Sequence, residues 1–226
     1  RIVNIYNNKE TLFYELKSSC KKEWSEYTEH KFLSDLVNNK LPDKNFKHYL
    51  VQDYIFLQQF LKILALTVYK SNSFEEIKRS IDFIKGIDHE IKLHVNYCKK
   101  WKIPIKSLNN IIVEKTNSAY TDHILNIGKN GNNLDIFTCL SPCIIGYGEI
   151  GYKLSKIANW KKSKYRSWIT MYSSNEYQKV AKENIEYLDI LFQANKKKNL
   201  HKLKKYFKDS TVLEKKFWEC FVSTKN

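Results

Sequence analysis

Three short stretches place a thiol or a carboxylate among apolar neighbours, and each could carry chemistry. The first is Cys139-Leu140-Ser141-Pro142-Cys143-Ile144-Ile145-Gly146-Tyr147-Gly148-Glu149-Ile150-Gly151. A cysteine is a nucleophile once it loses its proton, and a helix that restarts after Pro142 would lower the pKa of Cys143 through its N-terminal dipole. Tyr147 lies one turn on and faces the same way. The other reading of an isolated cysteine is a small buried hydrophobe. The second stretch is Val212-Leu213-Glu214-Lys215-Lys216-Phe217-Trp218. Glu214 shares a helical face with Phe217 and Trp218, an apolar wall that raises a carboxyl pKa towards the general-acid range. Its flanking lysines allow the opposite reading, a solvated side chain. The third is Asp53, on one face with Tyr49, Phe56 and Leu57. A carboxylate there is desolvated unless something donates hydrogen bonds to it, and it could equally cap a neighbouring helix. Tyr120, Tyr147 and Tyr172 add rings with hydroxyl tips, suited to stacking on a flat heterocycle and bonding its nitrogens.

Several classes are disfavoured by what accompanies these residues. His89 and His94 are five apart and face different ways, so no helical metal-ligand set is expected. Five cysteines, none in a CxxC pair, do not suggest a disulfide framework. The net charge of +15 invites a nucleic-acid reading. Yet only Arg1, Arg79 and Arg166 are arginine, and dispersed lysines give a diffuse field rather than the guanidinium forks that read bases. Solvated surface charge, and no nucleic-acid partner, is the expectation. No apolar run reaches the ~18 residues of a membrane span and no signal-peptide pattern opens the chain, so no membrane partner and a cytoplasmic location are expected. Arg1 rather than Met stands first, which leaves room for a segment upstream.

The elements that must position these residues are helical. Three prolines and six glycines in 226 residues favour long helices over the turns of an all-β fold, and 42% hydrophobic content supports a sizeable core. Residues 1–226 read as one all-α domain of about eight helices. One stripe runs from Thr11 to Trp24, and a short helix covers His30 to Asn38. A long helix opens at Leu41-Pro42-Asp43, with Pro42 near its first turn, and reaches Tyr69. Ser73 with Glu76 forms a capping box for a helix ending before Pro104. Another runs from Ser107 to Ile127 and stops at Gly128. Residues 132 to 159 resume the pattern, with Pro142 as a kink or a new start. A short helix carries Trp168 and Tyr172. Ser173 with Glu176 opens a helix to Gln193, and the last spans Leu200 to Val222. Lys196-Lys197-Lys198 reads as an interhelical loop. The three glycines within six residues of 146–151 weaken a helix by ~1 kcal/mol each, so close helix packing or close approach of a ligand must offset them.

Together and in this order, the stretches resemble the TenA (thiaminase II) family. The matching pieces are Phe46-Lys47-His48-Tyr49-Leu50-Val51-Gln52-Asp53-Tyr54, Glu90 with Leu93-His94, and Ala119-Tyr120-Thr121-Asp122-His123. They continue through Ser141-Pro142-Cys143 with Tyr147, Glu149, Gly151 and Leu154, then Tyr165-Arg166-Ser167-Trp168-Ile169 with Tyr172-Ser173, and end at Glu214 with Phe217-Trp218. The resemblance implies a haem-oxygenase-like helical bundle, commonly a homotetramer, without haem or other cofactor. It implies hydrolysis of thiamin or of its aminopyrimidine breakdown products, releasing 4-amino-5-hydroxymethyl-2-methylpyrimidine for thiamin salvage. Cys143 falls on the family's nucleophile, Glu214 on its acid/base, Asp53 on the carboxylate that binds the aminopyrimidine edge, and Tyr120, Tyr147 and Tyr172 on pocket tyrosines. Phe56 stands where some members have Tyr, Lys31 follows His30 where a proline is usual, and Ile144-Ile145-Gly146 replaces a more aromatic stretch. These departures bear on substrate preference more than on reaction type.

The implied mechanism adds the Cys143 sulfur to ring C6 while Glu214 protonates the adjacent nitrogen, which breaks aromaticity and lets the ring expel the group on its 5-methylene. Rival readings are a quinone-cofactor synthase-like oxidase of the same superfamily, a non-catalytic pyrimidine-binding or regulatory protein, and a lysine-rich nucleic-acid binder. The first does not need Cys143. The second binds without turnover, and the third is salt-sensitive on DNA.

Overall fold

Apolar residues spaced three and four apart along most of the chain can be buried only by packing helix on helix, and the computed structural model has that architecture. It describes residues 4–104 and 110–222. Among these there are ten α-helices and no strand: α1 (Leu12–Ser19), α2 (Lys21–Thr28), α3 (Lys31–Val37), α4 (Asp43–Tyr69), α5 (Phe74–Lys100), α6 (Lys115–Asn130), α7 (Asn133–Leu154), α8 (Arg166–Ser173), α9 (Asn175–Ala194) and α10 (Leu200–Glu219). No described helix is long and apolar enough to cross a membrane.

α7 is the central strut. It is buried on nearly every face and packs against α9, α10, α8, α6 and α2. α4 and α5 form an antiparallel hairpin beside it. The helix continues through Pro142 without a new start, and Tyr27 of α2 donates its hydroxyl to the Pro142 carbonyl at 2.8 Å. A proline inside a helix removes one N–H and costs roughly 3 kcal/mol, which the surrounding core must offset. The 146–151 glycines serve packing. A Cβ on Gly146 would sit 2.6 Å from the Tyr27 ring, and one on Gly151 would sit 2.5 Å from the backbone of Tyr172. At the far end of the glycine run, Glu149 is buried with Lys17 of α1 at 2.6 Å and accepts from the Trp24 indole of α2, tying both helices to α7.

Several boundaries differ from the sequence reading. The Thr11–Trp24 stripe is two helices, because Cys20 leaves helical geometry (φ −136°, ψ 49°) and α2 starts afresh at Lys21. Pro42 is the N-cap of α4 rather than a first-turn residue. At α5, Ser73 accepts from the Glu76 amide, but the Glu76 carboxylate turns to Asn72 instead of closing a reciprocal box. The cap of α9 is Ser174, not Ser173, since its hydroxyl accepts from Tyr177 N. Gly128 lies inside α6, which ends at Asn130 with Gly131 as its cap. Ser107, expected to open that helix, lies outside the described residues, and α6 begins at Lys115. α7 ends at Leu154 and α10 at Glu219, short of the expected 159 and 222. The Lys196–Lys198 run is an interhelical loop, as expected.

Candidate functional site

Five helices aim polar side chains at one region of the core. α4 supplies Tyr49, Asp53 and Phe56 from successive turns, α6 supplies Tyr120, α7 supplies Cys143 and Tyr147, α8 supplies Trp168 and Tyr172, and α10 supplies Glu214. Every one of these except Cys143 is at most 4% exposed. Cys143 is ringed by protein yet keeps some accessible surface. The solvated alternative for Glu214 is thereby excluded: its neighbours Lys215 and Lys216 point outward while the carboxyl is 2% exposed.

At one side of the region stand the acid and the thiol. Tyr120 donates to Glu214 Oε1 at 2.7 Å, and the Cys143 thiol lies close enough for the two groups to interact electrostatically. Burial pushes the Glu214 pKa up to about 8; the Asp53 charge adds to the rise, while the Tyr120 hydrogen bond and the neighbouring Cys143 thiol oppose it. Glu214 is therefore mostly protonated at neutral pH. Burial, then the charges of Glu214, Glu90 and Asp53, hold the Cys143 thiol well above its usual range. This corrects the expectation of a thiol activated by a helix N-terminus. α7 begins at Asn133, so Cys143 sits nearly three turns in, where no free N–H groups face it. Such a thiol must lose its proton in the reacting step.

At the other side stands Asp53. His94 Nε2 of α5 lies 2.7 Å from its Oδ2, a close ionic contact in which the ring N–H is poorly aligned. Tyr49 donates to the same oxygen at 3.4 Å, and Trp168 donates to the Tyr49 hydroxyl at 3.2 Å. Burial disfavours the imidazolium, but the Asp53 and Glu90 charges together outweigh it and raise the His94 pKa. Asp53 caps no helix; its partners are side chains. Between the two sides lie the rings: Phe56 and Tyr120 at 5.0 Å, Tyr147 and Tyr172 at 4.9 Å, Tyr147 and Trp218 at 5.6 Å. The Tyr49 and Tyr147 hydroxyls approach to 3.5 Å. A region lined by flat rings, with an acidic group at either end and a thiol beside one of them, can grip a planar heterocycle by its edges and add sulfur to it.

The structure thus brings together all seven residues that the sequence reading singled out: Cys143, Glu214, Asp53, Phe56, Tyr120, Tyr147 and Tyr172. It adds His94, Glu90, Tyr49 and Trp168, to which that reading gave no role. Glu90 and His94 are four apart on α5, and Tyr49 and Asp53 four apart on α4, so their pairing along one face was visible in the spacing. Which faces met was not. Tyr172 donates to Glu90 Oε1 at 2.8 Å, and burial followed by the Asp53 charge raises the Glu90 pKa to about 7. Among the described residues no group of three or more His, Cys, Asp or Glu side chains is arranged to hold a metal ion.

The model of a family described as TENA/THI-4/PQQC matches residues 18–223. The chain is 30% identical over 206 residues to the aminopyrimidine aminohydrolase of Helicobacter pylori, covering 90% of this chain and 95% of that protein. It is 29% identical over 198 residues to the aminopyrimidine aminohydrolase of Halalkalibacterium halodurans, covering 87% and 88%. Among solved structures it resembles a protein of Silicibacter described as a TenA family transcription regulator (TM-score 0.89, 30% identity, 94% and 97% covered). A TenA homologue from Pyrococcus furiosus shares the fold (TM-score 0.82, 22% identity, 93% and 100% covered).

Proposed function

The chain belongs to the TENA/THI-4/PQQC family, and from that premise we propose that it is an aminopyrimidine hydrolase working by covalent cysteine catalysis. The observation that carries the reading is the buried Glu214 carboxyl, hydrogen-bonded by Tyr120 beside the Cys143 thiol, with a pKa that burial pushes up to about 8. One group is then in position to give a proton to a ring nitrogen and take one from sulfur. The relatives described as aminopyrimidine aminohydrolases support the substrate class.

The reaction follows from the residue types. Asp53, steadied by His94 and Tyr49, accepts hydrogen bonds from the 4-amino edge of the pyrimidine, and the rings of Phe56, Tyr120, Tyr147 and Tyr172 sandwich and flank it. Glu214 donates its proton to ring N1 as the Cys143 sulfur bonds to C6, and the thiol proton passes to the carboxylate so formed. Two protons move and no charge is left on sulfur, which suits a thiol that burial keeps neutral. The dihydropyrimidine then expels the group on its 5-methylene, electrons flowing in from the 4-amino nitrogen. Water adds to the exocyclic methylene. Cys143 leaves C6, the N1 proton returns through Glu214, and aromaticity is restored in 4-amino-5-hydroxymethyl-2-methylpyrimidine.

The same reading takes residues 1–226 as one domain of a cytoplasmic homotetramer that needs no metal or organic cofactor and works in thiamin salvage. Incubating the protein separately with thiamin and with 4-amino-5-aminomethyl-2-methylpyrimidine, and assaying the hydroxymethyl product, tests it. Release of product from either supports the reading; binding of pyrimidine without product from either overturns it in favour of a binding protein.

A further inference from the structure

Resting on that reading, we propose that Glu90 selects substrates with a positively charged leaving group, its carboxylate facing the substituent on the 5-methylene of the ring. The order of groups around the pyrimidine points there. With Glu214 at N1, Cys143 at C6 and Asp53 at the 4-amino group, the carbon bearing the leaving group, C5, points between Cys143 and Asp53. Glu90 is the further carboxyl that acts on both of those positions.

The geometry ties it to each. Along α5, Glu90 is one turn before His94, whose Nε2 lies 2.7 Å from Asp53 Oδ2. Across the site, it accepts from the Tyr172 hydroxyl at 2.8 Å, and the Tyr172 ring stands 4.9 Å from that of Tyr147, one turn along α7 from Cys143. The Glu90 charge is felt at Cys143, and that of Asp53 at Glu90. Glu90 also lines a groove of about 500 Å³ between α5, α8 and α9, whose wall includes Leu93, Tyr97, Met171, Tyr177 and Ile144, the neighbour of Cys143. A departing fragment larger than ammonia would have room there. Glu90 is half-buried on the wall of that groove, where desolvation and the Asp53 charge raise its pKa to about 7 against the opposing effects of His94 and Tyr172. An arriving cation can pair with the carboxylate there through a charge-assisted hydrogen bond. An ammonium on the 5-methylene and a thiazolium attached through its nitrogen both present positive charge at this point. The hydroxyl of the product does not.

The test separates the charge of Glu90 from its packing. In a Cys143→Ser background, which blocks turnover, the affinities for the aminomethyl- and hydroxymethyl-pyrimidines are measured by calorimetry at pH 7.5, with and without Glu90→Gln. The glutamine keeps the length of the side chain and can still accept from Tyr172. The expected result is that the variant binds the aminomethyl compound about tenfold or more weakly and the hydroxymethyl compound within about threefold of its parent. Equal losses for both ligands, or no loss for either, would overturn the proposal. A Glu90→Asp variant keeps the charge and provides the control for folding: it should retain most of the preference for the aminomethyl ligand, and its losing that preference as fully as the glutamine variant would also count against a charge-based role. If the parent bound neither pyrimidine, the functional reading itself would fall, and that outcome is distinct from all the others.

Discussion

The Tyr120 hydroxyl donates to Glu214 Oε1 at 2.7 Å across the interface between α6 and α10, with both side chains sealed from solvent. The hydrogen bond fixes which face of the carboxyl is free. It leaves the second oxygen free, on the proposed reading, to serve the ring nitrogen. Glu214→Gln keeps size and a hydrogen-bond acceptor but has no acidic proton to give. Turnover should fall by ~10²–10⁴-fold, the usual range for general acid–base catalysis, with thermal stability at pH 5 within a few degrees of wild type. Steady-state rates within threefold of wild type would remove Glu214 from the chemistry.

Stability against pH offers an independent check on the same carboxyl. A carboxyl raised from 4.5 to about 8 by burial favours the folded state fully below pH 4.5, and that contribution is lost as pH rises through 8. Glu90, raised to about 7, acts in the same sense over a narrower window. Relative to wild type, Glu214→Gln should therefore gain melting temperature between pH 5 and pH 9. A wild-type minus variant difference that stays constant over this range would mean that Glu214 is not perturbed.

The proposed nucleophile, Cys143, should show itself by slow, pH-dependent alkylation. Because burial and three nearby carboxylates hold the Cys143 thiol up, iodoacetamide should inactivate the enzyme slowly at pH 7 and faster as pH rises past 9. Hydroxymethylpyrimidine should protect. Cys143→Ser should bind that ligand with affinity close to wild type and turn nothing over, whereas persisting turnover would end the covalent mechanism.

Asp53→Asn exchanges an acceptor-only carboxylate for a group that also donates. The contact with a substrate amino group should weaken by roughly 1.5–3 kcal/mol, and the His94 ion pair is lost with it. Calorimetry with hydroxymethylpyrimidine measures this directly; an unchanged dissociation constant would return Asp53 to a purely structural role.

The glycines of α7 predict a purely structural effect. A methyl group on Gly151 would lie 2.5 Å from the Tyr172 backbone carbon, and backbone cannot rotate away as a side chain can. Gly151→Ala should cost on the order of 1–3 kcal/mol, as overpacked cores do, and displace α8 with Tyr172. A denaturant melt superimposing on wild type would show that α8 shifts freely.

The helical class and most of the parts were legible along the chain. Apolar spacing of three and four located the helices, and the setting of Cys143, Glu214 and Asp53 among large apolar residues singled them out before any contact was known. Periodicity carries this information because burial of one helical face is a local property of the chain. Breaks within a periodic stretch were less legible: Cys20 interrupts a continuous apolar stripe because α1 and α2 turn around the buried Glu149–Lys17 pair, and α7 continues through Pro142 because its neighbours hold it. Tertiary structure alone decided the chemistry of the parts. Lys215 and Lys216 beside Glu214 gave no sign that the carboxyl is buried against Tyr120, 94 residues away. The thiol that local sequence placed at a helix start lies in mid-helix, beside carboxylates brought in by α4, α5 and α10. His94 and Glu90 acquire their roles only where α5 meets α4 and α8. A pKa depends on burial and on charges close in space, and segments far apart in the chain supply both.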